Sequence, residues 1–252
     1  MFAYLFGGVI LYNIIDNYKQ RLYFYPIKQQ YNTKYRILQK QNHFAITNVY
    51  SNKLKSKCLL ISHGNSGNIT LKDNLFDQLI NYNGDIYCYE YCGFGNCDGV
   101  ANINTCINEH KFWLNELNNY YDEIELWGES IGGGIIIETL CSIDDNIILN
   151  KIKKIYLHST FNKLSTIINQ TNMGLGMIYK LFLFDDLNTH NNLKYMQPKN
   201  AKIIILHSKN DEIIPYEEAK KNYNRCKELK LDVKLIEITG THNNPIFSNN
   251  IL

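Results

Sequence analysis

The sequence has almost no excess charge, little proline and no internal repeat. Of its 252 residues, 26 are Lys or Arg and 24 are Asp or Glu, which gives a formal net charge of +2. This balance lacks the basic footprint of a nucleic-acid-binding protein, so we expect no nucleic-acid partner. The 4 prolines and 15 glycines form no linker-like stretch. The length and the 45% hydrophobic content favour one globular domain with a core large enough to fold alone.

Cysteine is present but lacks the spacing that indicates a disulfide framework or a zinc site. The seven cysteines are an odd number, which favours a reducing compartment. Cys88, Cys92 and Cys97 are close together, but no CxxC pair and no histidine pair at zinc-finger spacing accompanies them. The sequence therefore predicts no metal site. Four cysteines lie in apolar or helical patterns and are expected to be buried thiols, namely Cys58, Cys88, Cys106 and Cys141.

Residues 1–22 form an apolar N-terminal segment, and residues 23–252 are expected to form the domain. Phe2 to Ile15 is almost wholly apolar, but a membrane span needs about 20 apolar residues. The segment also lacks the basic start and the small-residue cleavage site of a secretory signal, so we do not expect secretion. Two interpretations stay open, a buried or amphipathic helix and a membrane anchor or interfacial segment. In the second case Lys19 and Arg21 would place the domain on the cytoplasmic face.

The remainder of the chain alternates between strand-like and helix-like patterns. Residues 35–38 and 44–50 alternate polar and apolar side chains, which predicts an opening antiparallel pair. Later apolar runs that predict strands are 58–62, 85–91, 124–127, 154–158, 203–207 and 233–238. Helical patterns between them include a stretch that reaches to about Asn81, residues 103–121 and residues 131–141. This alternation predicts a mainly parallel sheet with helices on both faces, and such sheets bind ligands at the carboxyl ends of their strands.

The stretch Leu126 to Gly134, LWGESIGGG, places a serine between glycines where a predicted strand gives way to a predicted helix. It fits the pattern G-x-S-x-G. A serine on such a sharp turn has a strained backbone, and neighbouring backbone comes too close for larger residues at the flanking positions. The turn exposes the hydroxyl of Ser130, and the helix dipole and the N–H of Ile131 favour a developing negative charge nearby.

Asp211 and His242 follow the last two predicted parallel strands. Taken singly, Asp211 is equally consistent with a helix cap, and His242 with a solvated loop residue. A serine hydroxyl, however, is a poor nucleophile near neutral pH. It needs an imidazole to take its proton and a carboxylate to orient that imidazole. Ser130, Asp211 and His242 each follow a predicted parallel strand, so we expect them to meet at one edge of the sheet.

Five loop motifs, in this order, resemble those of the α/β-hydrolase fold family: HGNSGN, YEYCGFGNCDG, GESIGGG, HSKNDEIIP and GTHNN. The resemblance covers residues 23 to 244. It is greatest for the membrane-associated α/β-hydrolase-domain group, which includes acyl-protein thioesterases and lysophospholipid lipases, and weaker for serine aminopeptidase-like hydrolases. Cys92 and Cys97 depart from the family pattern, in which Arg and Ser are frequent at these positions.

The resemblance implies an α/β-hydrolase fold with antiparallel N-terminal strands and a small cap. It implies that Ser130 is the nucleophile, His242 the base and Asp211 the orienting acid. The oxyanion hole would consist of the N–H groups of Asn65 and Ile131. No metal or organic cofactor is implied.

The activity implied by the resemblance is that of a serine hydrolase cleaving an ester or thioester, of lipid or acyl-protein type. Two alternatives stay open: a serine aminopeptidase-like peptidase, and a catalytically silent binding protein of the same fold. The apolar residues Met173, Met177 and Tyr179 to Phe184 either admit an acyl chain or form a helix packed in the core. Contact with a membrane would involve Phe2 to Ile15.

Overall fold

The computed structural model describes residues 24–50, 54–171 and 187–248, with the side chains of residues 168–171 outside the description. The predicted N-terminal segment, Phe2 to Ile15, lies outside these ranges, as does the apolar stretch from Met173 to Phe184. Within these ranges no helix is long and apolar enough to cross a membrane.

Most strands of the described chain belong to one nine-stranded sheet. In chain order the strands are β1 (Tyr25–Pro26), β2 (Arg36–Lys40), β3 (His43–Thr47), β4 (Lys57–Ser62), β5 (Ser66–Gly67), β6 (Asp85–Tyr89), β7 (Glu123–Glu129), β8 (Ile152–His158), β9 (Lys202–Ser208), β10 (Val233–Gly240) and β11 (Pro245–Ile246). The spatial order of the sheet is β11-β10-β9-β8-β7-β4-β6-β3-β2, and β1 pairs separately with β5.

The six strands from β10 to β6 in this spatial order are all parallel to their neighbours. The antiparallel hairpin of β2 and β3 continues the sheet at one edge, and β11 pairs antiparallel with β10 at the other. The prediction of a mainly parallel sheet with an antiparallel opening pair is therefore confirmed. The two-residue strands β1, β5 and β11 were not predicted, because they are too short to show a side-chain periodicity.

Helices cover both faces of this sheet. They are α1 (Asp73–Gln78), α2 (Ile103–Asn118), α3 (Ile131–Cys141), α4 (Asn146–Lys151), α5 (Leu164–Thr171), α6 (Thr189–Asn192) and α7 (Tyr216–Glu228). Side chains of α2, α3, α4 and α7 pack in the core on one face, and side chains of α1 pack in the core on the other. The segment between β8 and β9, predicted to form a small cap, includes α5 and α6, while residues 172–186 lie outside the described chain.

The sheet has an apolar core on each side because its central strands are apolar at consecutive positions. In β4, Cys58 and Leu60 join one core cluster, whereas Leu59 and Ile61 join the other. Consecutive strand residues point to opposite faces, so a strand buried on both faces must be apolar throughout. This is why runs such as 58–62 could be recognised as strands without any alternation of polarity.

Two helices differ from their predicted extents. The helix predicted over 103–121 ends at Asn118. Tyr121 instead packs in the core, and its hydroxyl donates a hydrogen bond to Asp85 Oδ2 at 2.8 Å. The helical stretch predicted to reach about Asn81 ends at Gln78 and is preceded by a short 3₁₀ turn. Tertiary contacts of single residues, which periodicity does not detect, set these ends.

All seven cysteines are free thiols. Of the four predicted to be buried, Cys58, Cys88 and Cys106 are fully buried. The prediction was wrong for Cys141, which is only half-buried and donates a hydrogen bond to the Asn192 carbonyl. It lies at the end of α3, where the helix leaves the sheet.

Two histidines, His110 and His158, are buried in the core. Burial lowers the pKa of each to about 3, although the Glu129 carboxylate acts in the opposite direction on His158. His158 ends β8, and its ring lies 5.6 Å from that of Trp127 and 5.2 Å from that of Phe247. Neither of its ring nitrogens has a hydrogen-bond partner among the described residues. The neutral imidazole therefore occupies an aromatic pocket.

Because these two histidines are buried with lowered pKa values, we expect the protein to lose stability at acidic pH. Their folded pKa lies below the unfolded value of about 6.5, so between the two values only the unfolded chain binds the proton. Above about pH 6.5 these groups cause no loss in the free energy of unfolding. As the pH drops, the free energy of unfolding falls, and at pH 5 the loss is about 2 kcal/mol per histidine. His158→Phe should remove one of these losses, since a phenyl ring suits the aromatic pocket. Urea unfolding at pH 8 and pH 5 measures the difference. Equal losses in the variant and the wild type would contradict this account.

Candidate active site

Ser130 lies on a strained turn between β7 and α3. Its φ is +54° and its ψ is −118°, a conformation that non-glycine residues rarely adopt. Two backbone hydrogen bonds hold the turn. Ser130 N–H donates to the His158 carbonyl at 2.8 Å, and Gly133 N–H donates to the Ser130 carbonyl at 3.1 Å. The backbone is therefore strained at the position where the sequence pattern predicts strain.

Close backbone contacts explain the glycines beside this serine. A Cβ at Gly132 would overlap the Ser62 carbonyl at the end of β4, and a Cβ at Gly128 would overlap the backbone of Gly133. The helix α3 thus begins in direct contact with the neighbouring strand. Only glycine at these two positions allows the contact that presents Ser130 at the carboxyl edge of the sheet.

Asp211 and His242 form a hydrogen-bonded pair in the loops that follow β9 and β10. His242 Nδ1 lies 2.8 Å from Asp211 Oδ2 and 3.0 Å from Oδ1. Asp211 Oδ1 also accepts hydrogen bonds from the N–H groups of Ile213 and Ile214. Asp211 does not cap α7, since the residue before that helix is Pro215 and no side chain caps it.

The Asp211 carboxylate is held in its charged form. Burial alone would raise its pKa, but hydrogen bonds with His207 and His242, together with the Ile214 amide, outweigh burial and lower the pKa well below the ordinary value. His207 is fully buried at the end of β9, with Nε2 at 3.4 Å from Asp211 Oδ2 and 2.8 Å from the Ile214 carbonyl. His207 could not be identified from the sequence, because it shows no signal beyond its place in an apolar strand.

Ser130 and His242 line one cavity of about 750 Å³. No hydrogen bond joins Ser130 Oγ to His242 in this structure. Asn65 and Ile131 line the same cavity, and we find no hydrogen bond from the N–H of either to a described residue. Gly64, beside Asn65, lies close enough to the turn that a Cβ on it would contact Ser130 Cβ at 3.8 Å. Four of the five predicted site residues therefore line one cavity, and the fifth, Asp211, contacts the ring of His242.

An ion pair that the sequence analysis missed lies in the wall of this cavity. Lys72 Nζ is 2.7 Å from Glu129 Oε1 and 2.8 Å from Oε2, and each side chain is 13% exposed. Burial acts to raise the pKa of Glu129, but the Lys72 charge and nearby histidines lower it to about 2. Glu129 is the first of the two variable positions of G-x-S-x-G, and Lys72 is 57 residues away, so no local pattern pairs them.

The rest of the cavity wall is mostly apolar. The apolar side chains come from the 3₁₀ turn before α1, from the segment that follows β8 and includes α5, and from the loop after β9. They are Leu71, Phe161, Leu164, Ile167, Ile213 and Ile214. The cavity therefore combines a hydroxyl, an imidazole, two backbone amides and one ion pair with an apolar wall.

Two curated proteins illustrate the sequence relatives of the chain. It is 30% identical over 211 residues to the uncharacterized protein R595 of Acanthamoeba polyphaga mimivirus, covering 79% of this chain and 71% of R595. It is 27% identical over 176 residues to the uncharacterized protein YfhR of Escherichia coli K12, covering 68% of this chain and 58% of YfhR. No family model matches the chain.

Solved structures of α/β hydrolases share the fold. The Pyrococcus furiosus esterase Pf2001 aligns with a TM-score of 0.63 at 15% identity, over 86% of this chain and 90% of its own. Mouse alpha/beta hydrolase domain-containing protein 10 aligns with a TM-score of 0.56 at 15% identity, over 83% of this chain and 91% of its own. An alpha-beta hydrolase from Vibrio vulnificus aligns with a TM-score of 0.65 at 19% identity, over 82% of this chain and 74% of its own. At these identities the similarity concerns the fold. The chain has the α/β-hydrolase fold, and it belongs to the same family as R595 of the mimivirus.

Proposed function

We propose that the protein is a serine hydrolase that cleaves a carboxylic ester or thioester through an acyl-enzyme. The observation that carries the proposal is the hydrogen-bonded pair of Asp211 and His242, which shares a cavity with the strained Ser130. Retention of all three groups supports an enzyme over a catalytically silent binding protein, because a binding role requires neither a strained serine nor a buried carboxylate–imidazole pair.

The contacts support a separate catalytic role for each of the three residues. Asp211 accepts a hydrogen bond from Nδ1–H of His242, which leaves Nε2 free to act as a base. His242 takes the proton of Ser130 Oγ as the oxygen attacks the acyl carbonyl carbon. His242 then gives this proton to the leaving oxygen or sulfur. His242 then deprotonates a water molecule, which attacks the acyl carbonyl carbon. The bond from this carbon to Ser130 Oγ breaks, His242 returns the proton to Oγ, and the acid is released. Each step uses only groups of the chain and water.

The free amides of Asn65 and Ile131 would stabilise the tetrahedral oxyanion. Donors of this kind contribute roughly 3–4 kcal/mol each to the transition state. Ile131 is the first residue of α3, so the positive end of the helix dipole acts on the same oxygen. The missing hydrogen bond between Ser130 and His242 is consistent with this mechanism, because catalytic hydrogen bonds often tighten only when substrate binds.

The cavity wall favours an acyl chain as the group that is transferred. The apolar side chains of Leu164, Ile167 and Ile214 line the space beside Ser130, and their burial against an acyl chain would contribute roughly 25 cal/mol per Å² of apolar surface. A lipid ester or an acylated protein fits this wall. The Pyrococcus relative of the same fold is described as an esterase, which agrees with ester chemistry here.

The peptidase alternative requires a free carboxylate to bind a substrate amine. Glu129, the carboxylate that adjoins Ser130 in the chain, is already paired with Lys72. This ion pair disfavours amine recognition at that position, so we retain the peptidase only as the second candidate.

Ser130→Ala should abolish labelling by a fluorophosphonate probe, since the hydroxyl oxygen forms the bond to phosphorus. Ser142→Ala is the matched control. Ser142 follows the other end of α3, and its hydroxyl only donates to the Thr139 carbonyl at 2.9 Å, so this variant should label like the wild type. In-gel fluorescence with the full chain measures both. Persistent labelling of Ser130→Ala would contradict the assignment of the nucleophile.

The substrate class is tested by comparing p-nitrophenyl esters of increasing acyl length with aminoacyl anilides. We expect the rate of ester hydrolysis to rise with acyl-chain length until the apolar wall is covered. Each additional methylene group that is buried against the wall contributes about 0.8 kcal/mol. Ser130→Ala supplies the background rate. Faster cleavage of the anilides would favour the peptidase and overturn the proposed substrate class.

A further inference from the structure

A second group of reactive side chains lies in the loop after β6 and on α2. Cys92, Cys97 and Glu109 each offer one ligand atom, and these atoms all lie within 4.8 Å of one another. Cys92 Sγ is 3.0 Å from Glu109 Oε1. These side chains do not line the cavity that contains Ser130.

We propose that Cys92, Cys97 and Glu109 bind a Zn²⁺ ion. Thiolate sulfur binds zinc at about 2.3 Å and carboxylate oxygen at about 2.0–2.2 Å. Tetrahedral coordination at these lengths separates neighbouring ligand atoms by about 3.6–3.8 Å. The separation of Cys92 Sγ from Glu109 Oε1 is 3.0 Å, below this range, and the other two separations are at most 4.8 Å. Small side-chain rotations therefore bring the ligands to zinc geometry. A water molecule completes the four ligands.

The loop that carries the two thiols is already folded into the required shape. Gly93 N–H donates to the Cys97 carbonyl at 3.1 Å, and Cys97 N–H donates to the Phe94 carbonyl at 2.9 Å. Gly93 has a φ of +87°, and a Cβ there would press on the backbone of Ala101. The loop thus brings together two cysteines that are five positions apart in the chain, without a CxxC motif.

The third ligand is fixed from its other side. Glu109 Oε2 lies 2.8 Å from His43 Nδ1, while Oε1 faces Cys92. The His43 ring stacks on Phe112 with ring centres 3.5 Å apart. Ligating carboxylates in metal sites are usually oriented by such a hydrogen bond to the oxygen that does not bind the metal.

Charge and access both favour a cation here. Glu109 is only 2% exposed. His43 contacts its Oε2, and a cation at Oε1 would further stabilise the buried carboxylate. Cys92 is partly exposed, which gives an ion a route from solvent. The Cys92 thiol donates a hydrogen bond to Glu109 Oε1, so a cation that binds both atoms displaces the thiol proton.

Zinc binding is therefore a proton exchange. Zn²⁺ replaces the protons of the Cys92 and Cys97 thiols, two sulfur–zinc bonds and one oxygen–zinc bond form, and both protons pass to the buffer. No electron is transferred. The spacing rule used on the sequence could not predict this site, since Glu109 comes from a helix and not from a second cysteine motif.

The test is a Co²⁺ titration of the full chain after treatment with a chelator, under a phosphine reductant. We expect one equivalent of Co²⁺ to give a thiolate-to-cobalt charge-transfer band in the near ultraviolet and the visible bands of tetrahedral cobalt. Zn²⁺ should abolish both. Calorimetry with Zn²⁺ in buffers of different ionisation enthalpy should give two protons released per ion. The absence of the charge-transfer band in the wild type would overturn the proposal without recourse to any variant.

Variants assign the ligands. Cys92→Ser and Cys97→Ser should each weaken Zn²⁺ binding by at least about 10-fold and reduce the charge-transfer band. Cys141→Ser is the matched control, because Cys141 is half-buried like Cys92 and donates to a carbonyl like Cys97, and it should bind as the wild type does. Near-ultraviolet circular dichroism checks that each variant is folded. A wild-type band that persists in both Cys92→Ser and Cys97→Ser would place the metal at other cysteines and contradict the proposal.

Discussion

The contact between the first turn of α3 and the end of β4 is the constraint on which the rest of the site depends. Gly132 lies so close to the Ser62 carbonyl that no side chain fits between them. The chain leaves β7 through Ser130 at a φ of +54° and is tied to β8 by the hydrogen bond to the His158 carbonyl. The strain is local, and the buried strands on both sides maintain it. Without this contact Ser130 would have no fixed position relative to the other loops.

The order of strands in the sheet explains how distant residues surround this turn. Asn65 follows β4, which neighbours β7 on one side, while Asp211 and His242 follow β9 and β10 on the other. All four strands are parallel, so their carboxyl ends lie along one edge. Asp211 and His242 are 31 residues apart in the chain, yet adjacent strands bring them into contact. The Asp211 carboxylate is charged because two histidines and a backbone amide stabilise it in a buried place.

The sequence could predict what local patterns and strand order determine. Buried runs such as 58–62 and 203–207 identified parallel strands, and the G-x-S-x-G stretch identified the turn at Ser130 with the bounds of α3. It could not predict contacts between residues that share no pattern. The pairing of Lys72 with Glu129, the support of Asp211 by His207 and the meeting of Cys92 with Glu109 all depend on tertiary packing. The apolar segment Phe2 to Ile15 lies outside the described residues and stays a prediction.

The most direct test of the central claim compares kcat for ester hydrolysis between two single variants, Asp211→Asn and Glu212→Gln. Both changes replace a carboxylate by an amide. Asp211 contacts the His242 ring at 2.8 Å, whereas the only hydrogen bond of Glu212 with another described residue is from the His242 backbone N–H at 3.1 Å. If Asp211 orients the imidazole that deprotonates Ser130, kcat should fall about 10⁴-fold in Asp211→Asn. It should fall less than about 10-fold in Glu212→Gln, which weakens one backbone hydrogen bond. Similar values for the two variants would contradict the claim that Asp211, His242 and Ser130 act as one unit.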